Sequence, residues 1–540
     1  MHLQTLVSLV GLLTTAASLP ASPFQQKCAA LADKLELDLP FTVNIATYLP
    51  PDVAVDGRAE GINETCLVPD VDIVAEPIPV GVCRLNLRVE TTSVSEVYME
   101  VWLPENWTGR LLTTGNGGLA GCIQYTEIAY GASYGFASFG SNGGHNGTSG
   151  GAFYQQPEVL ADWIWRGVPT AAHVGKSIAK QFYGRDGGKS YYIGCSTGGR
   201  QGFRAVQRNP ELFDGVIAGA PAVDQFAHIS WFANGYRVLG PSINDSLVSL
   251  EQWEEVQEQV FKQCDAIDGA SDGILEDPTA CNFDWTPLMC CDDDEDKNNT
   301  LCFTQAQVDA AAQLFAPITY NGTQLYPGQV HGTEPDLISF LYNKLVSNWV
   351  AEGFRYMVYD ASWDPTAFTL RDAYYAATTN PHDAATFDSN ISAFRDHGGK
   401  LLHWHGMADT VLEPPMSDQY YRAVQTTLGA SVEELDEFYR YFRAGGVGHC
   451  RGGPGANFMG QMGERAAADD PDDNMLMRIV AWVEQGEAPV FVRGTKFVDN
   501  NKTEAVEFRR KHCKFPLVNQ YTGNGNGTDE HGWECVEAYS

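Results

Sequence analysis

Ser190-Tyr191-Tyr192-Ile193-Gly194-Cys195-Ser196-Thr197-Gly198-Gly199-Arg200 places G-C-S-T-G between a β-rich run and a helical one. That is the pattern of a nucleophile elbow: small flanking residues permit a strained turn, which presents Ser196 Oγ above a sheet. A serine hydroxyl attacks an ester only if a histidine takes its proton, and the histidine needs a carboxylate to fix its tautomer and stabilise its charged form. Downstream, Leu401-Leu402-His403-Trp404-His405-Gly406-Met407-Ala408-Asp409 ends a strand with an acid in the next loop, and Gly445-Gly446-Val447-Gly448-His449-Cys450 follows the next strand. Taken singly, Asp409 reads equally as a turn residue, and His403 or His405 as satisfied core histidines. The order serine, acid, histidine on successive strand ends makes Ser196, Asp409 and His449 a candidate triad.

An oxyanion hole needs the backbone N–H of the residue after the nucleophile, here Thr197, and a second donor. The glycine-rich Gly115-Asn116-Gly117-Gly118-Leu119-Ala120-Gly121 follows an upstream strand, and Gly118 is the expected donor, with Gly117 close behind. Cys195 precedes the serine and Cys450 follows the histidine, so triad contact would bring the two cysteines within disulfide reach. Such a bridge closes a loop of roughly 255 residues, which in the chain-entropy account stabilises by about 5 kcal/mol. A second cluster, Asp265-Ala266-Ile267-Asp268-Gly269-Ala270-Ser271-Asp272-Gly273-Ile274, offers three carboxylates on glycine-assisted turns without EF-hand spacing. Hard oxygen ligands of this kind suit calcium; a solvated acidic turn is the plainer alternative.

The Cys-Ser, Asp and His-Cys arrangement, G-N-G-G-L-A-G at Gly115, the Gly143-Gly144-His145-Asn146-Gly147-Thr148 segment and G-C-S-T-G-G-R-Q-G at Gly194 resemble the fungal tannase and feruloyl esterase family. The resemblance implies an α/β-hydrolase fold with a large inserted lid domain, hydrolysing hydroxycinnamoyl or galloyl esters, and it leans to the feruloyl esterase side. It also implies a structural calcium held by Asp265, Asp268 and Asp272 with the carbonyls of Ala270 and Ile274, and no organic cofactor. Implied disulfides are Cys28 with Cys83, Cys66 with Cys122, Cys195 with Cys450, Cys264 with Cys281, and Cys513 with Cys535. Cys302 would take Cys290 or Cys291.

The elements that must position these residues are legible in outline. Leu111 to Thr113, Tyr191 to Ile193 and Val216 to Ala218 alternate with helical patterns, which suits a parallel sheet with crossover helices. From Ser249 to Cys264 the character changes: Leu250, Trp253, Val256, Val260, Phe261 and Cys264 fall at helical spacing behind a Ser249/Gln252 capping box, and Thr304 with Gln307 opens another helix. Strand signals return at Lys400 to His405 and Glu437 to Arg443, followed by a helix from Asn474 to Glu484 stopped by Gly486 and Pro489. The expected organisation is a signal peptide over 1–19, a first part of the hydrolase core over 20–230, an inserted, mainly helical lid domain over 231–392 carrying the calcium site, and a second part of the core over 393–540.

Composition narrows the function. In 540 residues, 35 Lys plus Arg face 68 Asp plus Glu, a formal charge of −33 that repels phosphate backbones and anionic lipid, so no nucleic-acid partner is expected. An apolar stretch from Leu6 to Leu13 followed by Ala16, Ala17 and Ser18 reads as a secretory leader, and no later run is apolar enough for a membrane span. Thirteen cysteines fit an oxidising compartment, with the adjacent Cys290 and Cys291 the place for the odd one. Nine sequons, at Asn63, Asn106, Asn146, Asn244, Asn298, Asn321, Asn390, Asn501 and Asn526, mark surface segments. The combined reading is a secreted serine esterase acting on feruloylated plant cell-wall oligosaccharides or small phenolic esters. The alternatives are a tannase or polyester-monomer hydrolase on the same triad and, from another class, an inactive calcium-dependent carbohydrate-binding protein.

Overall fold

The computed structural model describes residues 21–67, 77–290, 301–463 and 465–538. The leader at 1–19, the acidic run Asp292 to Asp296, Cys291 and the sequon at Asn298 lie outside the described residues.

A nine-stranded sheet organises the chain. Its strands are β1 (Phe41–Leu49), β2 (Val82–Thr92), β3 (Ser95–Pro104), β4 (Leu111–Thr114), β5 (Ala137–Ser141), β6 (Ser190–Cys195), β7 (Gly215–Gly219), β8 (Lys400–Gly406) and β9 (Tyr439–Ala444), in the spatial order β1-β2-β3-β5-β4-β6-β7-β8-β9. The first three pair antiparallel and β3 meets β5 antiparallel; every later neighbour is parallel. Parallel strands are covered on both faces by their crossover helices, so they are apolar along their length and do not alternate. β4, β5 and β7 are buried at every residue. β8 breaks the apolar rule with His403 and His405, both buried.

Crossover helices Gly167–Tyr183 and Thr197–Arg208 flank β6. Register aligns the carboxyl ends of the strands: Cys195 faces Gly219, Gly219 precedes a loop beside Trp404, and Gly406 faces Ala444. In open parallel sheets ligands bind beyond these ends, and Ser196, Asp409 and His449 all follow them.

The described residues of 220–399 add no strand to this sheet. They form the helices Gln225–Leu239, Leu250–Cys264, Gln305–Phe315, Lys344–Gly353 and Leu370–Thr379 with a hairpin of Ile318–Tyr320 and Thr323–Tyr326. Both capping boxes, Ser249 with Gln252 and Thr304 with Gln307, are formed. Helix Gln225–Leu239 is capped by Asp224 and runs unbroken across position 231. The hydrophobic core continues from Phe203, Val216 and Leu401 into Trp231, Trp253, Leu337 and Phe354. After β9, helix Met475–Gln485 packs under the sheet, and Phe491–Phe497 pairs with Val506–Cys513 outside it.

Candidate active site

Ser196 sits at φ 63° and ψ −121°, between β6 and the helix that starts at Thr197. A left-handed non-glycine residue of this kind costs about 1–3 kcal/mol and persists only where its surroundings hold it. Those surroundings are close: Ser196 N–H donates to Gly219 O at 3.0 Å, and a Cβ on Gly194 would lie 2.7 Å from the Gly198 carbonyl carbon. The Thr197 N–H opens the helix and so has no intrahelical acceptor.

The loop after β4 meets this turn. Thr197 Oγ1 donates to Gly118 O at 2.8 Å, and Gly118 stands at φ 52°. Asn116 anchors the loop to the nucleophile helix: its N–H donates to Gln201 Oε1 at 2.9 Å, and Gln201 Nε2 donates back to Asn116 Oδ1 at 3.1 Å. Asn116 Nδ2 donates to Ser141 O at 2.8 Å and Cys122 O at 3.1 Å, using the rest of the amide. His145 Nε2 donates to Leu119 O at 2.9 Å, and Gly121 N–H donates to Gly147 O. Burial holds the His145 imidazole down at about 4, so it acts as a neutral donor. The glycine-rich loop, expected to carry the second oxyanion donor, and the Gly143–Thr148 segment, noted in the sequence only as a motif, therefore form one scaffold behind the Thr197 turn.

Asp409 and His449 lie in the loops after β8 and β9. His449 Nδ1 is 2.7 Å from Asp409 Oδ2, while Asp409 Oδ1 accepts the N–H groups of Val411 and Leu412 at 2.7 and 2.8 Å. Burial works to raise the Asp409 pKa, but facing His449 and the hydrogen bonds from both His405 and His449 outweigh it and hold the carboxyl well below its usual range. Cys195 and Cys450 are joined with Cα atoms 5.9 Å apart, which ties the turn of Ser196 to the loop of His449.

His405 gives the acid a second histidine, with Nε2 3.2 Å from Asp409 Oδ2. Behind it, His405 Nδ1 is 2.6 Å from Ser417 Oγ, Ser417 Oγ is 3.0 Å from His403 Nε2, and His403 Nδ1 is 2.9 Å from Tyr439 Oη. One assignment of protons satisfies every member: Tyr439 donates to His403, His403 to Ser417, Ser417 to His405 and His405 to Asp409. Burial, with His405 adding, pushes His403 well below the usual histidine range, in keeping with a neutral ring. The plain reading of these histidines as satisfied core residues holds, but the groups satisfying them lead to the candidate acid.

Residues from the segment between β7 and β8 reach the same place. Gln329 Nε2 donates to Asp409 O at 3.2 Å. A Cβ on Gly118 would lie 3.0 Å from Trp349 Cζ2, and Glu352 accepts from Ser149 Oγ at 2.6 Å and from Gly150 N–H at 2.8 Å. His228, on the first turn of the helix capped by Asp224, donates from Nδ1 to Asp224 O at 3.0 Å. Burial lowers it to about 4, with nearby His449 working in the same direction. Glu413 is pushed up to about 8 by burial, the charges of Asp224 and Asp409 adding to it. None of His228, Gln329, Trp349 or Glu413 belongs to a motif; a buried polar residue at the start of a capped helix was the one available signal, at Asp224 and His228.

The acidic loop forms a separate site. Disulfide Cys264–Cys281 closes it. Asp265 accepts from Gly273 N–H at 3.0 Å, Asp268 from Ala270 N–H at 3.0 Å and Glu276 N–H at 3.2 Å, and Asp272 from Ile274 N–H at 3.2 Å. Asp268 is 3% exposed and is pushed up to about 7 by burial, the Glu276 charge adding to it. Asp272 is raised as well, chiefly by burial, although Arg510 pairs with it at 2.8 Å and with Glu276 besides. Among the described residues no group of three His, Cys, Asp or Glu side chains converges as a ready ligand set. The donor chemistry, three partly or fully buried carboxylates all raised mainly by their own burial, nevertheless suits a hard cation.

Six disulfides close in the described chain: Cys28–Cys83, Cys66–Cys122, Cys195–Cys450, Cys264–Cys281, Cys290–Cys302 and Cys513–Cys535. Cys290 is thus the partner of Cys302, the choice the sequence left open.

Residues 80–536 match the family model described as tannase and feruloyl esterase. A probable feruloyl esterase B-1 of Aspergillus flavus and a probable feruloyl esterase B-2 of Aspergillus oryzae are each 44% identical over 97% of both chains. The crystal structure of feruloyl esterase B from Aspergillus oryzae superposes with a TM-score of 0.89 at 40% identity, covering 95% of this chain and all of that one. Tannin acyl hydrolase from Aspergillus niger, at 20% identity and a TM-score of 0.70 over 94% of this chain and 95% of that one, shares the fold. The chain therefore belongs to the tannase and feruloyl esterase family of carboxylic ester hydrolases.

Proposed function

We propose that this chain is a secreted serine esterase that releases hydroxycinnamic acids, ferulic acid among them, from esters of plant cell-wall polysaccharides. The observation that carries the reading is the His449–Asp409 contact at 2.7 Å beside the Cys195–Cys450 bridge, with Ser196 in a strained turn next to it. Relatives named feruloyl esterase, alike over nearly the whole chain, supply the acyl class.

In this reading Ser196 Oγ attacks the ester carbonyl carbon while His449 Nε2 takes the hydroxyl proton. The oxyanion is held by the N–H groups of Thr197 and Gly118. His449 then gives its proton to the departing alcohol oxygen, leaving the acyl group on Ser196. Water repeats the sequence, losing a proton to His449 and displacing the acid from Ser196. Asp409 keeps the His449 tautomer fixed and offsets its transient charge.

The fold would be an α/β-hydrolase fold in which residues 231–392 act as a lid; contact of Trp349 with Gly118 and of Gln329 with Asp409 supports that role. An aromatic wall at the oxyanion loop suits a planar phenolic acid. A calcium ion held by Asp265, Asp268 and Asp272 with the carbonyls of Ala270 and Ile274 would supply charge compensation and rigidity to the acidic loop. Secretion is supported by the leader pattern at 1–19 and by six disulfides, and no helix among the described residues is long and apolar enough to cross a membrane.

The test is turnover of methyl ferulate, caffeate, p-coumarate and gallate by wild type and Ser196→Ala. The hydroxycinnamates are hydrolysed, and the variant falls by about 10⁴- to 10⁶-fold with unchanged circular dichroism. Gallate as the sole good substrate would replace the acyl class with that of a tannase, and full turnover by Ser196→Ala would remove the nucleophile.

A further inference from the structure

Helix Lys344–Gly353 continues directly into the wider turn Phe354–Val358, so a single element leads from Trp349, at the oxyanion loop, out to the surface at Tyr359. At about 1.5 Å per helical residue the ten steps from Trp349 to Tyr359 cover roughly 15 Å. There a series of aromatic rings begins. Phe354 and Trp363 stack at 4.7 Å and 22°, Trp363 and Tyr359 at 6.0 Å and 19°, and Tyr359 and Tyr375 at 5.5 Å and 8°. The inner end is core: Phe354 is fully buried. The outer end is open, with Tyr359 40% and Tyr375 45% exposed.

These outer rings are held in place although they lie in solvent. Tyr359 Oη donates to Asp372 Oδ1 at 2.8 Å, Asp372 closes the capping box of helix Leu370–Thr379, and that helix carries Tyr375. Arg355 Nε donates to Trp363 O at 2.9 Å, fixing the third ring. Soluble proteins rarely rigidify exposed aromatic surface without a partner for it. Asp360 and Asp364, exposed and next to Tyr359 and Trp363 in the chain, accept with Oδ1 from Ser362 and Thr366 and leave Oδ2 for a further donor.

We propose that Tyr359 and Tyr375, backed by Trp363, dock the neutral β-linked polysaccharide backbone that carries the ester; the proposal rests on the esterase reading. A pyranose ring offers an axial C–H face that lies against an aromatic face and equatorial hydroxyls that reach acceptors at its edge. The partner is not anionic: a formal charge of −33 repels anionic polymers and anionic lipid. The element that carries Tyr359 is the one that carries Trp349 at the oxyanion loop, which ties the rings to the same part of the molecule as the candidate site.

Adsorption to insoluble, unesterified xylan, read by depletion of protein from solution, tests the docking without any turnover. The wild type is retained at low and high salt alike, because the contact is uncharged. Tyr359→Ala/Tyr375→Ala loses retention by about tenfold, the scale of two lost ring contacts, and raises KM on feruloylated arabinoxylan by a similar factor. Its kcat and KM for methyl ferulate stay within about twofold of wild type, since ring contacts outside the cleft are not made by a small ester. Tyr359→Phe/Tyr375→Phe keeps the ring faces and keeps retention. Tyr375→Gln alone, at an exposed helix position, gives a partial loss and serves if the double alanine variant melts early. Equal retention of wild type and the alanine variant overturns the proposal, as does equal loss on polymer and methyl ferulate. Absence of methyl ferulate turnover in the wild type would instead overturn the esterase reading and leave the adsorption result standing.

Discussion

Asp409 and Asp268 are the same residue type, 0% and 3% exposed, yet their carboxyls move in opposite directions. Asp409 is driven down because two imidazoles and two backbone N–H groups face it. Asp268 receives two backbone N–H groups as well, but its neighbours are Asp272 and Glu276, and burial carries it up to about 7. Burial sets the size of the stakes, and the charge of the facing groups sets the sign. One loop holds a carboxylate that its partners keep ionised; the other holds negative charge that a cation would relieve.

The sharpest break of this contrast is Asp409→Asn, which keeps the shape and removes the charge. kcat for methyl ferulate falls by about 10⁴-fold, with KM changed far less, because the amide favours the wrong His449 tautomer. Equal kcat would end the assignment of Asp409. Next comes the tether: Cys195→Ser/Cys450→Ser still folds at low temperature, melts earlier and loses about 100-fold in kcat, since misplacement near 1 Å costs that much. A variant that melts earlier at full kcat would reduce the bridge to a stability device.

His405→Leu is expected to lower kcat by about tenfold, the scale of one lost hydrogen bond to a charged group. With a donor gone, Asp409 keeps more of its negative charge for His449, so the acid limb of kcat/KM moves to higher pH. His405→Gln, which restores a donor, recovers part of both. An unmoved limb would make His405 purely structural.

The smallest effect on catalysis and the clearest on stability belongs to Asp268. Its folded pKa, about 7, lies well above that of an ordinary aspartate, so the folded state holds the proton longer. Stability in the presence of a chelator therefore falls as pH rises through that window, while calcium, which needs the ionised carboxylate, stabilises more as pH rises. Melting at pH 5 and pH 8 with chelator or calcium reads both slopes. Asp268→Asn melts higher than wild type in chelator at pH 8, gains little from calcium, and keeps kcat. A chelator effect on kcat with no effect on melting would move the metal into the chemistry.

What the sequence made legible was local: the elbow around Ser196, acid and base in order on strand ends, and cysteines touching two of the three. Each needs only a few neighbouring residues to be recognised. What it hid was pairing between distant segments. His405 and His403 look like any polar residues in a buried strand until Ser417 and Tyr439 are brought beside them. Arg510 is separated from Asp272 by 238 positions, and no periodicity links them. The acidic loop read as three ligands, while one of the three, Asp272, already faces a guanidinium. The boundary at 231 falls inside a helix because the chain has no breaker there; the usable signals were the Asp224 cap and the Gly240-Pro241 stop.

The bridge beside the triad also sets a schedule for biosynthesis. Cys195 leaves the ribosome 255 residues before Cys450, a wait of roughly 10–50 s at ordinary elongation rates. In that interval five thiols emerge, Cys291 and the four that pair as Cys264–Cys281 and Cys290–Cys302, and each is a wrong partner available sooner than the right one. Fidelity then depends on these four pairing among themselves over their short spacings, of 17 and 12 residues, before they capture Cys195. A host that oxidises thiols quickly but reshuffles them slowly would yield protein with intact strands and no working triad, so the specific activity of a preparation reports its history of disulfide exchange.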